Sequence, residues 1–308
     1  MEDIRLTKNF SVLHCSAGEA KQLPVDQRAQ FDQLYQLVFA KSSAFVDWMI
    51  DYHMRMPGES HYFFGTENGV IVAFTYFARF KNRSGFTYAL SCGSISHPGS
   101  MGSFLPLFEY ANKYMGSCTD LLMGFCNRKS VKIYTHPVFG WLRDPEFRQL
   151  KLTGLLFAGP STTVLNRGKN QSIHSIPLQS TLFRRDEEFL NWRLSRIRNF
   201  EILKNDVSGH ISIIKPFENE FDVVTILNCK TREEYRDELR LIFDHLRMMK
   251  PGFSGLNVYL SYPGTDDLIN SSFTSEPLAH ERFLCYRPSM GFTPSAHAFV
   301  EMIDSDTI

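Results

Sequence analysis

The chain has 308 residues, enough for one large domain or two of ordinary size. Hydrophobic residues make up 43% of it, and its 27 phenylalanines indicate cores rich in aromatic side chains. Lysine and arginine together number 33, as do aspartate and glutamate, so the formal net charge is zero. Because broad nucleic-acid-binding surfaces usually leave a basic excess, no nucleic-acid partner is expected.

Motifs for secretion, membrane insertion and metal binding are missing from the sequence. The opening residues, MEDIRLTKNF, lack the basic start, apolar core and cleavage site of a signal peptide. No segment approaches the roughly 20 apolar residues of a membrane-spanning helix. The six cysteines include no CxxC pair, which favours reduced thiols and a cytoplasmic location. Neither HExxH nor paired-cysteine spacing occurs, so no metal site is predicted.

The first half of the chain alternates helical and strand-like patterns. Apolar residues at helical spacing predict helices over residues 27 to 40 and 43 to 54. An Asn68-Gly69 turn between the apolar runs HYFFGT and VIVAFTYFARF predicts a β-hairpin, and the strand FTYALSCGSIS follows. The glycine-containing loop HPGSMGS then leads into a helix from Phe104, and LLMGFC is typical of a buried strand.

The second half repeats this order loosely. The predicted strands include FDVVTILNC, GLNVYLS, RFLCYR and segments near residues 154 to 166, 175 to 183, 200 to 206 and 209 to 216. Thr231 and Glu234 form a capping box at the start of a strong helix. The shared order of hairpin, strand, long helix and strand predicts two similar α/β domains, residues 1-150 and 151-308, with largely antiparallel sheets.

Three segments resemble the GCN5-related N-acetyltransferase (GNAT) family over most of residues 27 to 145. ENGVIVAF resembles a strand pair of that family, and SISHPGSMGSFLPLFEYANKY resembles its strand, pyrophosphate loop and following helix. GFCNRKSVKIYTHPVFGW resembles the closing motif, in which an Asn, a small residue and a Tyr precede a Gly-aromatic pair. The residues at these positions are Asn127, Ser130, Tyr134, Gly140 and Trp141.

In the second half, RRDEEFLNWRL resembles a Phe-x-x-Trp-Arg helix found in a subgroup with two GNAT-like halves, often associated with surface polysaccharide modification. The resemblance implies two tandem GNAT-like (acyl-CoA N-acyltransferase) domains with mixed, largely antiparallel sheets. It also implies transfer of an acyl group from acetyl-CoA or another acyl-CoA to a primary amine, with an amino sugar as one acceptor. The second domain, which has no glycine loop before its long helix, would shape the substrate cleft.

Acyl transfer requires an anchored pyrophosphate, a deprotonated amine and a stabilised leaving thiolate. A helix N-terminus behind a glycine loop can hold the pyrophosphate. The resemblance implies that Tyr134 protonates the thiolate, and the imidazole of His97 beside the loop is suited to accept a proton. The residues expected to contact the donor are Ser96, Gly99, Ser100, Gly102, Ser103, Asn127 and Ser130.

Other interpretations of these residues stay open. The loop HPGSMGSF lacks the basic or amide residue that begins the family's pyrophosphate loop, and it is shorter, so it can also be an ordinary connection. Tyr134 can also pack against the sheet, Asn127 can cap a strand end, and His97 can be structural. A non-catalytic binding or assembly protein, or a transferase that uses an aminoacyl-tRNA or acyl-carrier-protein donor, is therefore an alternative. A homodimer is also open.

Overall fold

The computed structural model describes residues 1–156, 165–168, 183, 186–197, 199–261, 264–278, 281–288 and 300–301. The helices are α1 (Ala17–Ala20), α2 (Val25–Phe39), α3 (Ser43–Met54), α4 (Phe104–Cys118), α5 (Val131–Tyr134), α6 (Glu187–Leu194), α7 (Arg232–Met249) and α8 (Thr265–Asn270). The first eight strands are β1 (Glu2–Arg5), β2 (Phe10–Cys15), β3 (Glu59–Glu67), β4 (Val70–Lys81), β5 (Thr87–Ser96), β6 (Leu121–Asn127), β7 (Leu142–Arg143) and β8 (Arg148–Leu155). The others are β9 (Leu165–Gly168), β10 (Glu201–Asn205), β11 (Ile211–Phe217), β12 (Glu220–Leu227), β13 (Gly255–Ser261), β14 (Phe273–Pro277), β15 (Arg282–Pro288) and β16 (Val300–Glu301).

The chain forms two units, and each draws on more than one segment. Unit 1 consists of Met1–Phe125, Lys132–Leu142 and Cys285–Thr293. Unit 2 consists of Cys126–Val131, Arg143–Leu284 and Pro294–Ile308. The single boundary near residue 150 that the sequence favours stays a prediction.

The strands of the chain form two mixed sheets. The first sheet has the strand order β1-β2-β3-β4-β5-β6-β15-β7, so a strand from near the end of the chain joins strands from its beginning. The second has the order β14-β8-β13-β12-β11-β10-β9, and β16 pairs with β13. Most pairings are antiparallel, whereas β5 with β6 and β12 with β13 are parallel. The prediction of mixed, largely antiparallel sheets is therefore confirmed.

Most of the predicted elements are present. The helices predicted over 27 to 40 and 43 to 54 correspond to α2 and α3. Asn68 and Gly69 join β3 to β4 with φ of 51° and 82°, the left-handed conformations that a two-residue hairpin turn requires. Residues 157–164 and nearly all of the strand predicted near 175 to 183 lie outside the described residues.

Aromatic rings fill the core of unit 1 on both faces of its sheet. On one face, Phe31 of α2 lies 4.9 Å from Phe64 and 4.6 Å from Phe74, measured between ring centroids. On the other, Phe63 faces Tyr114 of α4 at 5.7 Å. Because both faces are covered, the central strands are apolar at successive positions rather than alternating. This packing accounts for much of the high phenylalanine content.

In unit 2, a buried carboxylate joins α7 to the turn between β10 and β11. Glu238 of α7 is only 1% exposed and lies among polar side chains. Its oxygens accept hydrogen bonds from Asn205 Nδ2 at 2.9 Å and Ser212 Oγ at 3.2 Å, and His210 Nδ1 lies 3.3 Å away. A buried charge is costly unless such partners surround it, so the cluster fixes where α7 sits on the strands.

Replacing Glu238 with alanine should lower the free energy of unfolding by about 3 kcal/mol or more, because several buried polar groups lose their partner. Urea denaturation measures the change. Glu233→Ala is the matched control, since this glutamate lies on the exposed side of the same helix and forms a surface ion pair with Arg232. Equal stability of the two variants would contradict a structural role for Glu238.

Two histidines are stacked beneath α4 in unit 1. His14 Nε2 lies 3.2 Å from His61 Nδ1, and the His14 ring stacks on Phe63 at 4.5 Å. Burial, with a smaller contribution from the neighbouring His61, lowers the pKa of His14 to about 4. Burial also lowers the pKa of His61, although the nearby Glu59 carboxylate opposes that change. The folded protein therefore favours the neutral imidazoles.

The His14 contribution to stability should be lost as the pH falls from about 6.5 to about 4, because the unfolded imidazole binds a proton in that range and the folded one does not. The loss should reach up to about 3 kcal/mol. Urea unfolding at several pH values measures it, with His14→Gln as the comparison. If wild type and His14→Gln show the same pH dependence, His14 does not cause the loss.

Candidate functional site

The parallel ladder between β5 and β6 is short. It runs from Tyr88 opposite Leu121 to Ser91 opposite Gly124, although both strands continue beyond these residues. Over its remaining length β5 stays paired with β4. Among the strands that the structure describes, the β5–β6 pairing therefore ends at Ser91 and Gly124, before either strand ends.

A β-bulge lies directly beyond this point on β5. Gly93 and Ser94 together oppose the single residue Thr75 of β4. Gly93 has φ of 56°, and a Cβ there would lie 2.5 Å from Cε1 of Tyr76. Both the left-handed backbone and the close ring require glycine at this position. The bulge brings the Ser94 hydroxyl within 2.8 Å of the Thr75 hydroxyl.

Tyr134 places its hydroxyl at the end of the ladder. Tyr134 Oη lies 2.7 Å from Ser91 Oγ and 3.3 Å from Ser94 Oγ. The ring packs against Phe108 at 4.6 Å and Trp141 at 4.8 Å, and the residue is 5% exposed. The phenol is thus fixed within a chain of hydroxyls that can pass a proton. The sequence assigned no role to Ser91 or Ser94, because they stand out only as polar residues in a largely apolar strand.

The glycine-containing loop is helical rather than open. After Ser96 ends β5, Pro98–Ser103 forms 3-10 turns that run directly into α4, with a kink at Ser100 (φ −131°, ψ 39°). Gly99 and Gly102 both lie outside the left-handed region, so neither is required by backbone conformation. A Cβ on Gly102 would meet nothing within 4 Å, which leaves open space beside the start of α4.

His97 lies exposed at the start of this loop. Its Nδ1 accepts a hydrogen bond from the Gly99 amide at 3.0 Å, and its own amide donates to Val72 O at 2.7 Å. The bond from the Gly99 amide engages the lone pair of the neutral imidazole, which a general base would need to accept a proton. A base role for His97 stays a prediction that requires this bond to open.

A carboxylate of β3, to which the sequence assigned no role, contacts this loop. Glu67, the last residue of β3, accepts hydrogen bonds from Ser100 Oγ at 3.1 Å and from Ser103 Oγ. Ser103 precedes α4 but makes no side-chain capping bond to that helix. No local pattern could have revealed the contact, because more than thirty residues separate the partners in sequence.

Asn127 and Ser130 build the turn between β6 and α5. Asn127 Oδ1 accepts from the amides of Lys129 and Ser130, each at 2.9 Å, and the Asn127 amide donates to Ser130 Oγ at 3.0 Å. The structure thus uses Asn127 as a strand-end cap, an alternative that the sequence left open. Contact of either residue with a donor stays a prediction.

The Phe-x-x-Trp-Arg segment of the second half lies on α6. Asp186 caps this helix by accepting from the Phe189 amide at 2.9 Å. The motif residues Phe189, Trp192 and Arg193 are all buried, and the Arg193 guanidinium lies 5.2 Å from the Trp192 ring. Within unit 2 they contribute to packing.

A separate pocket of about 570 Å³ in unit 1 is lined by residues that include His14, Ser16, Glu59 and His61. None of the residues expected to bind the donor lines it. In the described part of the chain, no three His, Cys, Asp or Glu side chains are grouped as metal ligands. Among the described helices, none combines the length and apolar character needed to cross a membrane.

Neither a family model nor a curated protein sequence matches the chain. Its structure is similar to a conserved protein of unknown function from Enterococcus faecalis V583, with a TM-score of 0.59 and 14% identity over 91% of this chain and 73% of that one. It is also similar to a GCN5-related N-acetyltransferase from Kribbella flavida (TM-score 0.57, 10% identity, 90% and 70% coverage). A tandem GNAT protein from the clavulanic acid biosynthesis pathway matches with a TM-score of 0.54 and 13% identity, over 90% of this chain and 97% of that one.

Replacing Gly93 with alanine should destabilise unit 1 by about 2–4 kcal/mol, through backbone strain at positive φ and collision with Tyr76. Gly102→Ala should change stability by no more than about 0.5 kcal/mol, since its Cβ meets open space. Chemical denaturation compares the two variants. Similar stability of both would show that the bulge tolerates a side chain at Gly93.

Proposed function

We propose that this chain, which has the tandem GNAT fold predicted from its sequence, is an N-acyltransferase that uses acyl-CoA and acts on a primary amine. The fold is confirmed by matches that cover nine-tenths or more of the chain. The activity is supported above all by one observation, the Tyr134 hydroxyl held where the β5–β6 ladder ends. A thin pantetheine arm entering beside β5 would pass this hydroxyl.

A comparison of the N-terminal ends of α4 and α7 supports unit 1 as the donor-binding unit. In unit 2, Thr231 Oγ1 accepts from the Glu234 amide at 3.1 Å, and Glu234 accepts from the Lys230 amide at 2.7 Å. Thr231 therefore occupies an amide in the first turn of α7, and Glu234 occupies the amide just before the cap. The start of α4 has no such side-chain cap, so its amides and the positive end of its dipole are better suited to an anionic ligand.

In the proposed reaction the amine nitrogen attacks the thioester carbonyl carbon, the carbon–sulfur bond breaks, and the thiolate departs. Tyr134 donates its proton to that thiolate. The hydroxyls of Ser91, Ser94 and Thr75 form a route by which the phenolate regains a proton. The amine gives its proton to a base, for which His97 is the candidate once its bond to Gly99 opens.

For the acceptor we propose an amino sugar of a surface polysaccharide. This finer assignment is supported by the resemblance of the α6 segment to the tandem subgroup. A panel of amino sugars, amino acids and polyamines with acetyl-CoA, followed by mass spectrometry of the products, tests it. Acetylation of another amine class alone would contradict the amino-sugar assignment and leave the acyltransferase proposal standing.

Tyr134→Phe should lower kcat on the order of 10²-fold, because the thiolate loses its proton donor. Thiol release from acetyl-CoA measures the rate, at a temperature where circular dichroism shows the variant folded. Tyr110→Phe removes a phenol from α4 of the same unit and should leave kcat unchanged. Equal kcat for wild type and Tyr134→Phe would remove Tyr134 from the mechanism.

One observation favours a second candidate, a non-catalytic protein that keeps the fold. The loop expected to hold the donor pyrophosphate lacks a basic or amide residue, and its two serines donate to the Glu67 carboxylate of β3. Isothermal titration with acetyl-CoA at millimolar concentration separates the two candidates. Failure of the folded protein to bind would favour the non-catalytic one.

A further inference from the structure

Glu67 accepts hydrogen bonds from the hydroxyl groups that we expect to contact a donor pyrophosphate. Ser100 and Ser103 are two of the residues expected to contact the donor, and both donate to this one carboxylate. Ser103 is 5% exposed and lies at the start of α4. The carboxylate therefore sits beside the helix end where an anion is most favoured.

A carboxylate and a phosphate make similar demands on their surroundings. Both are anions whose oxygens accept hydrogen bonds, and both are stabilised near a helix N-terminus. The loop HPGSMGS contains no lysine or arginine that could offset a second negative charge. A diphosphate arriving at these serines would meet a like charge at short range, which disfavours binding.

We propose that Glu67 sets the affinity of the donor loop for phosphate, and that its charge weakens the binding of acyl-CoA until the side chain moves away. The diphosphate of acyl-CoA engages Ser100 and Ser103 only after the Glu67 side chain has left them. Glu67 is half-buried and adjoins the exposed Asn68-Gly69 turn, so it can rotate into solvent without disturbing the core. This inference rests on the proposed function, because it concerns the donor site of the same reaction.

The test compares the affinities of CoA and pantetheine, which lacks all the phosphates, for wild type and Glu67→Gln. Glutamine keeps the size of the side chain and one acceptor oxygen, replaces the other oxygen by a donor NH2 group, and removes the charge. The substitution should tighten CoA binding at least about tenfold and leave pantetheine binding within about twofold. The gain should shrink as salt is added, since it arises from charge repulsion.

Two further variants separate local charge repulsion from a general charge effect. Glu109→Gln removes an exposed carboxylate from α4 and should leave both affinities unchanged. Adding Ser100→Ala and Ser103→Ala to Glu67→Gln should abolish the gain, because the released hydroxyls are then missing. Circular dichroism and thermal unfolding confirm that each variant is folded.

The outcomes distinguish failure of the inference from failure of the proposed function. If wild type and Glu67→Gln bind CoA equally, or if Glu67→Gln binds it more weakly, the inference is overturned and the donor assignment stands. An equal gain for pantetheine would also overturn it, because the effect would not concern phosphate. If none of the folded variants binds CoA, the inference and the proposed donor both fall.

Discussion

The early end of the β5–β6 ladder is the constraint on which the candidate site depends. Beyond the end of this ladder β5 stays paired with β4 on its other side, and the bulge at Gly93 interrupts the register of that pairing. Only glycine fits there, since the Tyr76 ring lies where a Cβ would point. The same bulge brings Ser94 toward Tyr134. Backbone geometry, ring packing and the position of the phenol are therefore parts of one arrangement.

Local sequence signals predicted the fold better than they predicted the site. The Asn68-Gly69 turn and the helical spacing of α2 and α3 are short-range patterns, and each element formed where predicted. Strand β1 has only four residues, three of them exposed, so it shows no alternation and was not predicted. The proton-donor role of Tyr134 was predicted from a family resemblance rather than from a local pattern. The contact of Glu67 with the loop joins distant segments, and single-sequence patterns carry no signal for such contacts.

The two units show how one architecture diverges at helix ends. Each has a parallel strand pair followed along the sheet by an antiparallel bulged pair, and each has a long helix between the parallel strands. In unit 2 the helix end is satisfied by Thr231 and Glu234, so α7 serves packing and the buried Glu238 cluster. In unit 1 the serines at the corresponding place turn toward Glu67 instead. Small changes of side chain thus decide which helix end can receive a ligand.

The position of β15 between β6 and β7 has a consequence for biosynthesis. During translation the amino-terminal strands leave the ribosome long before Arg282–Pro288 is made, so their sheet lacks an internal member until then. The edge of β6 stays unpaired in that interval, and unpaired edges invite pairing with other chains. Contacts between such distant segments also form slowly. Nascent chains of this protein are therefore expected to depend on chaperones until the last strands emerge, and early termination should yield aggregates rather than a free-standing first half.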